Sequence, residues 1–278
     1  MNIIDAIYNL ITNHITDIVP YYVNKNRANG AGDAFEEYIK DLFTNAFNLS
    51  ETDRLEAINN AFSYVGNNSN PPDAMLRGGD AIEIKKTEDI GASLALNSSY
   101  PRSKLRNIDP MISTACRLAE NWTSKDVIYA VGYVHDNQLK HLSMVYGHNY
   151  CASEECYKRI RTKIINGVQA IPNVEFAETN ELGRVNRVDP LGITYLRVRG
   201  MWGIENPSKV FRYVYERDVT KTFTFMCIID DDKWNSFNNI NLITGLNNPN
   251  LAIQGVRIKD PNNPANLINA KLITFFID

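Results

Sequence analysis

The stretch Asn70-Pro-Pro-Asp-Ala-Met-Leu-Arg-Gly-Gly-Asp-Ala-Ile-Glu-Ile-Lys-Lys86 decides how the rest of the chain is read. Asp73-Ala-Met-Leu-Arg77 has the length of a short strand. Ala81-Ile-Glu-Ile-Lys85 alternates, with Ile82 and Ile84 on one face and Glu83 and Lys85 on the other. Between them, Gly78-Gly79 can supply the positive φ values of a tight turn. Two carboxylates and a lysine at the head of one hairpin suit metal-assisted phosphodiester hydrolysis. The carboxylates of Asp73 and Glu83 offer oxygen ligands to a hard divalent cation. Lys85 can stabilise charge developing on the phosphate or poise the attacking water.

Register tests this on paper, because residues directly opposite share a face and each strand alternates with period two. A two-residue loop, Gly78-Gly79, sets Asp73 opposite Ile84, on the wrong face. A three-residue loop, Gly78-Gly79-Asp80, sets Asp73 opposite Lys85 and diagonal to Glu83. The catalytic reading therefore requires an odd loop or a bulge. An ordinary solvated hairpin shows the same alternation, so the pattern alone decides nothing.

At 278 residues and 44% hydrophobic, the chain can bury one large core or two modest ones. No apolar run approaches the roughly 20 residues of a membrane span, and the N-terminus lacks the basic and apolar regions of a signal peptide. The four cysteines, Cys116, Cys151, Cys156 and Cys227, have no disulfide-framework spacing, which fits a reducing, cytoplasmic compartment. A net charge of −3 argues against a globally basic nucleic-acid binder, so any DNA contact must come from local clusters.

Taken in order, apolar residues at helical spacing predict a helix over 3–19, stopped by Pro20. A second helix is expected from near Asp33, with Phe35, Ile39, Leu42, Phe43 and Ala46 buried. Glu36 and Glu37 flank that stripe. Acidic residues in a first turn ordinarily just favour the macrodipole, but Glu36 can also reach a metal site on an adjacent sheet. Ser50 and Asp53 predict a capped helix over 52–61, and Phe62–Gly66 a first strand. Pro71-Pro72 restrict the backbone just before Asp73.

Residues 94–109 read as a polar segment rich in donors: Asn97, Ser98, Ser99, Arg102, Ser103, Lys104, Arg106 and Asn107. A helix over 110–122, a hairpin of Asp126–Val134 with Leu139–Tyr146, and a helix over 154–166 capped by Ser153 should follow. The basic side of that last helix is an ordinary solvated face. Arg184, Arg187, Arg197 and Arg199 alternate with apolar residues over 182–203, and Phe211–Tyr215, Thr222–Ile229 and Leu272–Ile277 read as strands. The simplest organisation is one α/β domain over 1–278, a mixed central sheet flanked by helices. Other constellations fail. His148, Cys151 and Cys156 lack zinc-site spacing, Gly30-Ala-Gly32 lacks a preceding strand and a third glycine, and no nucleophile elbow or phosphate-binding loop occurs.

Pro72-Asp73 followed by Glu83-Ile-Lys85 matches the PD-(D/E)xK nuclease core. The likeness goes further. Asn26–Asn29, Asn70–Glu83, Leu94–Ser99, Glu181–Pro190, Leu196–Pro207 and Asp232–Asn239 all resemble blocks of the NgoPII-type family of type II restriction endonucleases. The resemblance spans nearly the whole chain. It implies a restriction-endonuclease-like core over about 30–135 and an elaborated recognition region near 94–109 and 180–215. It also implies a homodimer in the bacterial cytoplasm that cuts double-stranded DNA at GGCC with Mg²⁺, beside a cognate DNA methyltransferase. The catalytic roles fall on Asp73, Glu83 and Lys85, with Asp73 and Glu83 as metal ligands, and less directly on Glu36. A G·C pair presents two major-groove acceptors that arginine or lysine meets best. Base contacts are expected among Arg102, Lys104 and Arg106, with Ser103 and Asn107 beside them and the arginines of 184–199 in reserve. Two other readings stay open: a non-catalytic DNA-binding protein on a decayed nuclease fold, and a structure-selective repair nuclease.

Overall fold

The computed structural model describes residues 1–67, 70–96 and 98–278. Helix α1 (Ile3–Thr12) starts at Asn2, whose side chain accepts from the Ile4 amide while the Asp5 carboxylate accepts from the Asn2 amide. That reciprocal cap satisfies amides the helix itself cannot. The long helix expected over 3–19 ends early, at Thr12. A separate helix, α2 (Ile18–Val23), carries Pro20 in its first turn. Proline lacks only an amide that is unpaired there anyway, so Pro20 opens a helix instead of closing one. Helix α3 (Ala31–Thr44) buries Phe35, Ile39, Leu42 and Phe43, each contributing about 1.5–3 kcal/mol. Asn45 ends it at φ 51°, in the left-handed region. Helix α4 (Glu51–Ala61) is capped as expected, the Ser50 hydroxyl accepting from the Asp53 amide at 3.2 Å.

Strands β1 (Phe62–Asn67), β2 (Asn70–Leu76) and β3 (Ala81–Thr87) come next. The polar segment after them contains two short strands, β4 (Leu94–Ala95) and β5 (Lys104–Arg106). Of the helix expected over 110–122 only α5 (Thr114–Leu118) forms, capped by Ser113. Strands β6 (Ser124–His135) and β7 (Gln138–Tyr146) make the expected hairpin, followed by α6 (Gly147–Tyr150) and α7 (Glu154–Gln169). The arginine-rich stretch holds β8 (Glu175–Phe176), β9 (Gly183–Asn186), β10 (Leu196–Val198) and β11 (Gly203–Ile204). The strand expected over 211–215 is absent. Asn206 and Pro207 start α8 (Pro207–Val210), and turns carry on from it, the Tyr215 amide donating to the Phe211 carbonyl at 3.0 Å. A capping residue followed by proline at N1 outweighed the β-branched and aromatic run. The chain closes with β12 (Phe223–Asp230), α9 (Asp231–Asn235), α10 (Asn241–Thr244), β13 (Leu251–Lys259) and β14 (Leu267–Ile277).

Most of the described strands form one mixed sheet in the order β1-β2-β3-β6-β7-β12-β14-β13, with β5 beside the start of β6, while β4 and β11 pair with each other. Pairing is parallel at β3–β6 and β7–β12. One face of the sheet, with Ala74, Leu76, Ile82, Ile84, Ile128 and Ala130, packs under α1, α2 and α3. Gly132 lets α3 settle this closely, because a Cβ there would lie 2.3 Å from the Phe35 ring. The other face, with Met75, Ala81, Val127, Tyr129 and Val131, packs under residues from later segments, among them Leu96, Leu105, Trp122, Tyr150 and Phe211. A small sheet, β10-β9-β8, stands apart next to α7, which buries none of its residues. Among the described residues no helix is long and apolar enough to cross a membrane.

Candidate active site

Strands β2 and β3 pair Ala74 with Ile82 and Met75 with Ala81. The Leu76 amide donates to the Asp80 carbonyl at 2.9 Å, and the Gly79 amide to the Leu76 carbonyl at 3.0 Å. The loop is therefore Arg77-Gly78-Gly79. It is odd in length, as the shared face required, but begins one residue earlier than expected. Continued outward, this register sets Asp73 opposite Glu83 and diagonal to Lys85. Only Gly78 takes a positive φ, 64°. Ile82 and Ile84 are buried behind the hairpin, 0% and 6% exposed.

Asp73, Glu83 and Lys85 meet on the opposite face. The Lys85 ammonium lies 3.0 Å from Asp73 Oδ2 and 3.1 Å from Glu83 Oε2. The Ile84 amide also donates to Asp73 Oδ2, at 2.6 Å, which fixes the carboxylate against the next strand. Burial and the charge of Asp73 push the Glu83 carboxyl above its ordinary value. Burial alone would lower Lys85, but Glu83 and Asp73 outweigh it and hold the ammonium above its ordinary value. The lysine is a stable cation between two anions.

Glu36 and Glu37 part company. Glu36, half-buried on α3, is raised by burial and then by the charge of Asp73, and it feels Lys85 as well. Glu37 instead binds Lys40 and the buried Arg54, which also holds Asp41 at 2.7 Å. Glu36 belongs to the hairpin's surroundings and Glu37 to the packing of α3 on α4. Asp80, the nearest alternative acid, is occupied elsewhere: it accepts from the Tyr146 hydroxyl at 2.7 Å and from Lys233 at 2.8 Å.

A cleft of about 150 Å³ opens over the three residues, lined also by Asn70, Tyr100, Arg102 and Tyr129. Among the described residues no cluster of three or more His, Cys, Asp or Glu stands at metal-binding spacing. Two carboxylates remain a sufficient oxygen set for Mg²⁺, which keeps several waters and takes further ligands from a substrate phosphate. The donor set fits, because a cation there would offset the burial and the charge of Asp73 that together raise Glu83.

The expected DNA-contact residues fall in two places. On β5, Lys104 and Arg106 point outward on either side of buried Leu105. Lys104 is 53% exposed and pairs with Asp126 at 3.1 Å. Arg102 departs from them: it is 5% exposed and lines the cleft. Ser103 is half-buried, and Asn107 spends its amide on the Trp122 carbonyl, holding the loop after β5 together. Asn97 lies outside the described residues. The other arginines sit on or beside the small sheet. Arg184 stacks on the Tyr195 ring, and Arg187 pairs with Glu175 at 3.5 Å. Arg197 and Arg199 both clasp Glu181, whose carboxyl they pull down to about 2. Tyr129 escaped the sequence reading. On β6 beside Glu83, it accepts from the Arg102 amide at 2.8 Å, and a tyrosine inside an apolar strand carries no sign of this.

A large mixed sheet flanked by helices is consistent with a restriction-endonuclease-like fold, and this one carries Asp-x₉-Glu-x-Lys on a hairpin. The NgoPII restriction endonuclease family pattern matches residues 1–259, and the chain belongs to that family. It is 58% identical over 278 residues, the whole of both chains, to the type II restriction enzyme NgoPII of Neisseria gonorrhoeae. No solved structure matches it.

Proposed function

We propose that the chain is a type II restriction endonuclease that hydrolyses phosphodiester bonds of double-stranded DNA at GGCC, using Mg²⁺. The observation that carries this is the convergence of Asp73, Glu83 and Lys85 at one cleft, within 3.1 Å of one another through the lysine. Asp73 and Glu83 would hold the cation. When bound, it supplies Lewis-acid stabilisation of the phosphate and a more acidic water.

The chain's own groups do the rest. The Ile84 amide fixes Asp73. Lys85, kept as an ammonium by its two carboxylates, donates to the phosphoryl oxygens as negative charge grows on them. Glu36 adds a third negative charge at the edge of the site. The catalytic core runs over about 30–135, and recognition elements lie near 94–109 and 180–215. A palindrome is matched most simply by a two-fold dimer whose subunits each read one half-site. The setting is the bacterial cytoplasm, beside a methyltransferase that protects the same site.

The test is a digest of a plasmid of known sequence with and without Mg²⁺. Discrete fragments ending at GGCC, abolished by chelation, are expected. Cutting without a fixed sequence would favour a repair nuclease, and binding without cutting a decayed one.

A further inference from the structure

Arg102 sits where a base-reading side chain would not. Only 5% exposed, it lines the cleft together with Asp73, Glu83 and Lys85. Its backbone is fixed on both sides. Its amide donates to the Tyr129 hydroxyl at 2.8 Å. Gly147 packs against its carbonyl so closely that a Cβ there would lie 2.2 Å away. The guanidinium, by contrast, is held only by a loose ion pair with Asp109. Among the described residues it donates no hydrogen bond, and its buried Nε has no hydrogen-bond partner. The nearest anion, Asp109, lies 3.6 Å from that nitrogen, and the Tyr100 ring lies 5.8 Å from the guanidinium carbon. Leaving a buried charged donor without a hydrogen bond costs about 1–3 kcal/mol or more, so such a group calls for a ligand.

Charge points to the kind of ligand. Asp73, Glu83 and Glu36 surround Lys85, and Arg102 is a second cation, close enough to Glu83 to lower its carboxyl against the effect of burial. An arginine fork matches the tetrahedral oxygens of a phosphate in two parallel bonds, and a group fixed in place needs no reorganisation as charge develops. Resting on the reading of Asp73, Glu83 and Lys85 as the active site, we propose that Arg102 grips the scissile phosphodiester itself and is a catalytic residue, not a reader of bases. Sequence selection then belongs to other side chains.

The experiment uses the full chain and a duplex oligonucleotide carrying the site found by plasmid digest. Single-turnover cleavage, duplex affinity and preference over sites altered by one base pair are measured for Arg102→Ala, Arg102→Lys and Asp73→Asn. Arg102→Ala should bind with the wild-type preference but cleave about 10²–10³-fold more slowly, the loss typical of one transition-state donor. Added guanidinium ion should restore part of that rate, and Arg102→Lys should fall between. Wild-type cleavage by Arg102→Ala would overturn the proposal. So would relaxed preference at one base pair, which marks a base reader, or a lowered melting temperature with no rescue by guanidinium or lysine, which marks a structural role. Asp73→Asn separates the two levels. If it is inactive while Arg102→Ala is normal, only the role of Arg102 falls. If it cleaves normally, the active-site reading beneath falls.

Discussion

Lys85 sits between Asp73 and Glu83, and that position limits what each can do. A lysine held as an ammonium stabilises charge in the transition state more than it binds the ground state. Lys85→Ala should therefore leave duplex binding largely intact while cleavage falls by several orders of magnitude. Near-normal cleavage by Asp73→Ala would sink the assignment. Glu83 adds a pH signature. Its folded pKa is raised, so its contribution to stability is complete below the ordinary glutamate value of about 4.3 and is lost as pH rises through the elevated one. In metal-free protein, Glu83→Gln should gain melting temperature on the wild type as pH climbs from about 4 toward neutrality. A constant difference across that range would contradict a raised Glu83 carboxyl. The two adjacent glutamates can be told apart by what each variant loses. Glu36→Gln should slow cleavage at little cost in stability. Glu37→Gln, which leaves buried Arg54 short of a partner, should cost about 1–3 kcal/mol in denaturant unfolding and leave the rate per folded molecule unchanged.

At the scale of the element, the odd loop is the deciding feature. Arg77-Gly78-Gly79 keeps Asp73 on the face of Glu83 and Lys85, and a one-residue change in length would carry it to the face of Ile82 and Ile84. Deleting Gly79 should abolish cleavage even if the sheet survives, with circular dichroism reporting the sheet and gel digestion the activity. Gly78→Ala is the milder change. At φ 64° a Cβ meets no neighbour but strains the backbone, so about 1 kcal/mol of stability should go and the register should hold.

At the scale of the whole molecule, the arginines divide by position. Arg106 projects from β5, whereas Arg197 and Arg199 are held by Glu181 on the separate small sheet. Bases read from β5 require Arg106→Ala to lose about 1–3 kcal/mol at GGCC and little on unrelated DNA, measured by competition binding. Equal weakening on every sequence would make Arg106 a phosphate contact and shift base reading to Arg184–Arg199. A two-fold dimer predicts two chains per duplex in sedimentation of the complex; one chain per duplex would exclude it.

Much of this was legible in the chain because period and capping are local. The alternation of Ala81–Lys85 marked the hairpin, and Ser50 with Asp53 marked the start of α4. The likeness to restriction endonucleases was legible too, because its blocks run along the sequence. Other features depend on partners distant in the chain. Pro20 looked like a stop because its place relative to a helix start is set by where α1 breaks. Phe211–Tyr215 looked like a strand because β-propensity ignores the cap that precedes it. Glu36 and Glu37 are adjacent in sequence, and only the packing of α3 between the sheet and α4 sends one toward Asp73 and the other to Arg54. The burial of Arg102 likewise follows from Tyr129 and Gly147, which meet it across 27 and 45 residues of chain. The sequence by itself determined the hairpin and the family. Tertiary structure decided which neighbouring charges share its cleft, because burial and electrostatics act through space, not along the chain.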